Sequence, residues 1–230
     1  MNSRPETRSP LLAFTLIELL TVITIIAILM GLLFPAISIA KDQARKAQAR
    51  ADVTNIAAAV KQYYAEYSKY PLGALSQSGG GTPTDILFGG AVTPPNSNQM
   101  VFDILRNTIS NGGTPGTPNP YNPRAIVFFE GKNVPDPTAP KGGFIPAGAT
   151  IGTVGSYIDP WGREYGIAID ADYNNQIQNL PYVDFQGSIN GPLVGVAVFS
   201  LGKDGIVGSA STAGAYRSGT TVSDDIISWQ

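Results

Sequence analysis

Between Leu11 and Ala40 the chain reads LLAFTLIELLTVITIIAILMGLLFPAISIA, thirty residues with one charge, Glu18; the 22 residues from Leu19 to Ala40 carry none. A helix needs about 20 predominantly apolar residues to cross a bilayer, so this run is long enough to span one. A helix apolar on every side has no face to show water, which makes a globular core an unusual place for it. A cleaved secretory signal is a second reading, because Arg4 and Arg8 precede the run as a basic n-region does. The run is, however, about twice an ordinary h-region and ends without an A-x-A-like site, so it is expected to stay with the mature protein.

The chain continues past Lys41 without a helix stop. KDQARKAQARADVTNIAAAVKQYYAEYSKY is rich in Ala, Lys, Arg and Gln, all strong helix formers. Val53, Ile56, Val60, Tyr63, Tyr64 and Tyr67 recur at three- and four-residue intervals and form one apolar stripe. Asp42 and Lys46 stand four apart as a helix-supporting pair, and Pro71 ends the run. One helix is therefore expected from about Phe14 to Tyr67, apolar all round in its first half and on one side in its second.

Composition narrows the chemistry available. The 230 residues contain no Cys and no His, which excludes a zinc finger, a Cys–His pair, a Ser-His-Asp triad and imidazole or thiolate haem ligation. Fifteen Lys and Arg against 17 Asp and Glu give a net charge of -2, so no basic excess points to nucleic acid. A membrane-anchored enzyme would have to work with carboxylates such as Asp170 and Asp172, which nothing in the sequence groups into a pocket.

Two residues in the apolar run stand out. A carboxylate at the bilayer centre costs about 2.5–3.5 kcal/mol and less near the interface, so Glu18 is either solvated at headgroup depth or partnered. Pro35 removes one helix hydrogen bond and marks a place where the helix loosens.

FTLIELLTVITIIAIL, after a short basic leader and with Glu18 fifth from Phe14, resembles the N-terminus of type IV pilins and pseudopilins. The resemblance implies that a prepilin peptidase cuts between Ala13 and Phe14 and methylates the new amine, with Ala13 standing where the family usually has glycine. It implies that the stem anchors the subunit in the inner membrane, head in the periplasm, and later forms a filament core. Glu18 would pair there with the N-terminal amine of a neighbouring copy, and Pro35 matches the family's helix-loosening proline. Two cations before the stem, Arg4 and Arg8, against four after it, Lys41, Arg45, Lys46 and Arg50, point the other way by a charge count; the leader motif is the more specific signal.

Residues 71–160 hold 28 glycines and prolines, punctuation that favours turns and loops. Within them MVFDILRNTI (Met100–Ile109) has helical spacing and AIVFFEG (Ala125–Gly131) reads as a short buried strand. From Tyr157 the pattern becomes regular. YIDPWGREYGIAID, YVDFQG and VGVAVFSLGKDG give strand and turn signals, with Pro160-Trp161-Gly162 as a turn. Tyr165, Ile167 and Ile169 alternate on one face, and Val194, Val196, Val198 and Ser200 mark another strand. The expected fold class is α+β, a long N-terminal helix packed on a small antiparallel sheet in a pilin-like arrangement. The chain divides into a leader (1–13), a transmembrane or filament-core helix (14–40), an amphipathic helix (41–70), a Gly/Pro-rich variable insertion (71–156) and a sheet with a candidate calcium loop (157–230).

DPWGREY, FSLGKDG and DDIISW together resemble the major pseudopilin of type II secretion systems, whose last loop holds calcium. The resemblance implies Asp204, Asp224 and Asp225 as side-chain ligands and the Leu201 carbonyl as a backbone ligand; the alternative is that Asp204-Gly205 is an ordinary turn. Asp170, Asp172 and Asn174 have the 1,3,5 spacing of an EF-hand loop, without its glycine at the sixth position or its acid at the twelfth. They read as an Asx-rich turn or a weak second cation site. The expected function is a structural subunit of a pseudopilus-like filament supporting type II protein export, without catalysis. Its partners would be copies of itself, the prepilin peptidase, the inner-membrane assembly platform and minor pseudopilins. The alternative is a type IV pilin of an adhesion, motility or DNA-uptake filament.

Overall fold

A computed structural model describes residues 15–77, 85–90, 96–108, 119–208, 214–218 and 220–229. The chain divides into two units between Ala44 and Arg45. Helix α1, Leu16–Tyr67, supplies residues to both and holds Pro35 within it.

In the first unit every described residue from Thr15 to Lys41 is exposed. This is the one candidate membrane span among the described residues, with a mean hydropathy of 2.7 in its most apolar window. Pro35 cannot donate to the carbonyl four residues back, at Gly31, yet the helix continues through it.

In the second unit α1 becomes a core element. Ala49, Val53, Ile56, Ala57, Ala59, Val60 and Tyr63 are buried, which places the expected stripe inward; Tyr64 lies outside it at 39% exposure. The helix stops at Tyr67 because Ser68 turns to a left-handed φ of 53°, and its N–H closes the last turn on the Tyr64 carbonyl at 2.8 Å.

The described strands are β1 (Ile86–Phe88), β2 (Gly143–Phe144), β3 (Tyr157–Ile158), β4 (Gly166–Ile169), β5 (Val196–Ser200), β6 (Arg217–Ser218), β7 (Thr221–Val222) and β8 (Ile226–Ile227). The main sheet runs β1-β4-β5-β8 with antiparallel neighbours throughout; β2–β3 and β6–β7 form two small antiparallel pairs. Tyr165, Ile167, Ile169, Val196 and Val198 share one core cluster with the buried face of α1. Ala168, Ala197, Phe199 and Leu201 face a second cluster with Ile177, Leu180 and Tyr182. The sheet is thus covered on both faces, so β4 and β5 are buried at every position. Gly166 lies opposite Phe199; a Cβ there would come within 2.2 Å of the ring, so glycine is what lets the aromatic lie across the strand.

The middle of the chain is more than surface loop. It supplies the edge strand β1 and helix α2 (Gln99–Leu105), whose Val101, Phe102, Ile104 and Leu105 are buried. Asn98 ties α2 to the turn before β4: its amide donates to the Tyr157 and Tyr165 carbonyls at 2.8 and 3.0 Å, and its oxygen accepts from Tyr157 N–H.

Two expected strands are absent. Ala125–Gly131 is irregular, because the N–H groups of Phe128 and Phe129 donate to the Leu105 carbonyl at the end of α2 and not to a neighbouring strand. Phe129 still enters the core, beside Phe102, Phe144 and Tyr157. YVDFQG forms a 3₁₀ turn at Val183–Phe185, leading into the short helix α3 (Gly187–Asn190); Tyr182 anchors it with no exposed surface.

Candidate functional site

The processing pair expected at Ala13 and Phe14 lies outside the described residues. The structure does describe the helix start that follows. Thr15 precedes the first helical residue, and its N–H and hydroxyl donate to Glu18 Oε2 at 3.1 and 2.9 Å. Glu18 N–H donates back to the Thr15 hydroxyl at 3.3 Å. This reciprocal arrangement is a capping box, and its signature, T-x-x-E, stands in the sequence as TLIE. It gives the stem's lone carboxylate a partner within its own chain. Pro35 adds a second local feature: the Ser38 hydroxyl donates to its carbonyl at 2.9 Å.

The second candidate site lies in the head. Asp204, Asp224 and Asp225 each offer an oxygen within 4.8 Å of the others. Three local arrangements bring them there. Asp204 starts a turn in which its Oδ1 accepts from Ile206 N–H at 2.9 Å. Asp224 Oδ2 accepts from Lys203 N–H at 2.7 Å. Asp225 Oδ2 accepts from Gly208 N–H at 2.8 Å. Gly202, at φ +61°, lets the two segments meet, since a Cβ would fall 2.7 Å from the Asp224 carbonyl. The Leu201 carbonyl accepts from Gly205 N–H at 3.1 Å, closing the turn that carries Asp204.

The residues present fit a divalent cation. Asp225 is only 4% exposed, and its Oδ1 is buried without a hydrogen-bond partner. Burial pushes its pKa up to about 7, although Gly208 N–H opposes the shift. A carboxylate cut off from water beside two others is stabilised by a bound positive charge. Calcium takes six to eight oxygens from carboxylates, carbonyls and water, and this loop offers the first two kinds.

A second acidic group gathers around the β4 exit. Asp85, Asp170 and Asp172 each offer an oxygen within 4.8 Å of the others. Asp170 is buried and caps the turn, accepting from Asn174 and Asn175 N–H. Asn174 directs its own oxygen to Gln176 N–H at 2.7 Å and its amide to Asp172 at 2.8 Å, so the third carboxylate of the group is Asp85. Burial raises the pKa of both Asp85 and Asp170, and neighbouring Asp172 adds to it. The hydrogen bonds are those of an Asx turn.

Sequence reasoning missed three residues. Asp85 is 85 residues from Asp170 and 87 from Asp172 in the chain, with no local signal. Arg163 reaches across to the Gly202 and Asp204 carbonyls, both at 3.4 Å, and so braces the candidate calcium loop. Asp159 is fully buried; its Oδ1 accepts from the N–H groups of Trp161, Gly162 and Arg163, and its Oδ2 from the Ser200 hydroxyl at 2.7 Å. The Asp-Pro-x-Gly run could have signalled that turn; the bond to β5 could not be read locally. Compared with protein-family models, curated proteins and solved structures, this chain finds no match.

Proposed function

We propose that the chain is a structural subunit of a pseudopilus-like filament, most like the major pseudopilin of a type II secretion system. One observation carries the reading. A single helix has an apolar length exposed along its whole extent, whose only charge sits in its first turn, and the same helix then forms the core of a folded head. A helix of this kind needs a second apolar environment, which lipid supplies before assembly and other copies supply within a filament.

In this reading the prepilin peptidase cuts between Ala13 and Phe14, and the stem holds the subunit in the inner membrane with its head in the periplasm. The assembly platform then moves it into a polymer with like copies and minor pseudopilins. Glu18 passes from its Thr15 cap to the methylated amine of a neighbour, and Pro35 gives the stem a weak point for repacking. Asp204, Asp224 and Asp225, with the Leu201 carbonyl, hold calcium and order the last loop. No catalytic step is assigned.

N-terminal sequencing of the membrane-extracted protein tests the reading. The mature chain is expected to begin at Phe14; an intact Met1, or a start after Ala40, defeats it. Glu18→Ala is expected to insert in the membrane and fail to assemble. A deletion strain is expected to lose secreted enzymes, and loss of surface filaments with normal secretion would favour a pilin of another filament.

A further inference from the structure

Three cations of the head line one shallow groove. Arg45 comes from α1, and Lys132 and Lys141 come from the segment leading into β2; with Gln48, Gly142 and two prolines they enclose about 190 Å³. That is below the roughly 300–1,000 Å³ of a site for a drug-sized ligand, so the groove suits a group of phosphate size. Gly142, at φ +63°, brings the turn close to α1: a Cβ there would stand 3.0 Å from Gln48 Nε2. The charge of Lys132 also reaches Asp52, where it opposes the rise in pKa that burial causes. Asp52 is turned toward the core, where its oxygens accept from the Tyr157 and Tyr165 hydroxyls at 3.2 and 2.8 Å. On α1, Asp42 is the one acid among Lys41, Arg45, Lys46 and Arg50. Glu130 and Asp136 flank Lys132 in the chain; with Asp42 and Asp52 they make four acids against the six cations Lys41, Arg45, Lys46, Arg50, Lys132 and Lys141, a positive excess in a chain whose net charge is -2.

Position along the chain identifies the anion. Arg45 follows Ala40, the last residue of the uncharged run, by five residues of the same helix, a rise of about 7.5 Å at about 1.5 Å per residue. The headgroup layer adds about 5–8 Å to each side of the hydrocarbon. We propose that this groove binds the phosphate of an anionic phospholipid headgroup in the leaflet from which the stem emerges. Lys132 and Lys141 make the site a property of the folded head and not only of the basic stretch on α1. The proposal rests on the membrane stem described under the proposed function. It gives a role to the cations that follow the stem, which a positive-inside count alone would place on the opposite side.

The test uses the full chain. Resistance of membrane association to alkaline carbonate is scored first, so that failure of the stem reading shows before the groove is probed. Lipid binding is then measured by native mass spectrometry in a neutral detergent, with phosphatidylglycerol competing against phosphatidylcholine. The parent is expected to prefer phosphatidylglycerol, and Lys132→Gln/Lys141→Gln to lose about 30-fold of that preference, about fivefold per cation. Lys61→Gln/Lys69→Gln, the same charge change elsewhere on the head, is expected to keep it. Equal loss in both variants, or no loss in the first, overturns the groove. Displacement of phosphatidylglycerol by inorganic phosphate at millimolar concentration overturns the lipid assignment in favour of a free-anion site.

Discussion

Ile28 and Ile56 belong to one helix, yet Ile28 is 60% exposed and Ile56 not at all. Helical hydrogen bonding is the same at both positions; the partner differs. Ile56 meets the sheet through the cluster that contains Ile167, Val196 and Val198. Ile28 sits among Leu, Ile, Val and Met side chains that are themselves exposed. Burying a residue of this size is worth about 1.5–3 kcal/mol, and soluble monomers seldom show contiguous apolar patches above a few hundred Å². The head meets its burial requirement within the chain, whereas the stem needs lipid or other copies to meet its own.

Substitutions that separate core from stem give the sharpest test of that contrast. Phe102→Ala removes a ring whose centroid lies 5.1–5.3 Å from those of Phe129, Phe144 and Tyr157 and is expected to destabilise the head by about 3–5 kcal/mol in urea unfolding. Leu29→Ala, at a position 61% exposed, is expected to shift the same transition by less than about 0.5 kcal/mol. Comparable losses from both would break the distinction.

Calcium addresses the head alone. At a concentration 100 times its Kd, a bound cation adds about 2.7 kcal/mol; a chelator should then lower the melting temperature of the head by about 5–10 °C. Asp204→Ala should abolish that response, and a variant that still responds would remove these carboxylates from the site. The stem start is more modest. Thr15→Ala breaks the capping box and should cost about 1 kcal/mol, read as roughly fivefold faster amide exchange in the first turn, with Glu18→Gln close to the parent because glutamine keeps the box.

The smallest effect is a pH dependence confined to the head. Burial raises the pKa of Asp52 against its tyrosine donors. The folded state therefore holds the proton at pH values where the unfolded chain has released it, and stability falls as pH rises from about 4 through the raised pKa. Asp52→Asn, which keeps an acceptor for one tyrosine, should flatten that fall in urea midpoints measured across the range; an unchanged slope would assign the dependence to other buried acids.

Features carried by local pattern were legible. The stem follows from thirty consecutive residues, the inward stripe at Val53, Ile56, Val60 and Tyr63 from a 3.6-residue period, and the strands at Ile167–Ile169 and Val196–Val198 from alternation; that Ile167 pairs with Val198 came from the structure. Where the pattern misled, a distant partner had decided the backbone. AIVFFEG has the composition of a strand, but the carbonyl that receives its N–H groups lies at the end of α2. The carboxylates of the candidate calcium loop could be named from resemblance, while the arginine that braces them and the aspartate that joins the second acidic group could not.

The sequence by itself determined that this chain has a helix with no water-compatible face, because no rearrangement of residues 19–40 can supply one. It also determined that histidine and cysteine chemistry are closed to it. Only the tertiary structure decided which carboxylates stand together and that the Gly/Pro-rich middle completes the core. Those outcomes depend on side chains separated by scores of residues, whose meeting is set by the packing of α1, α2 and the sheet.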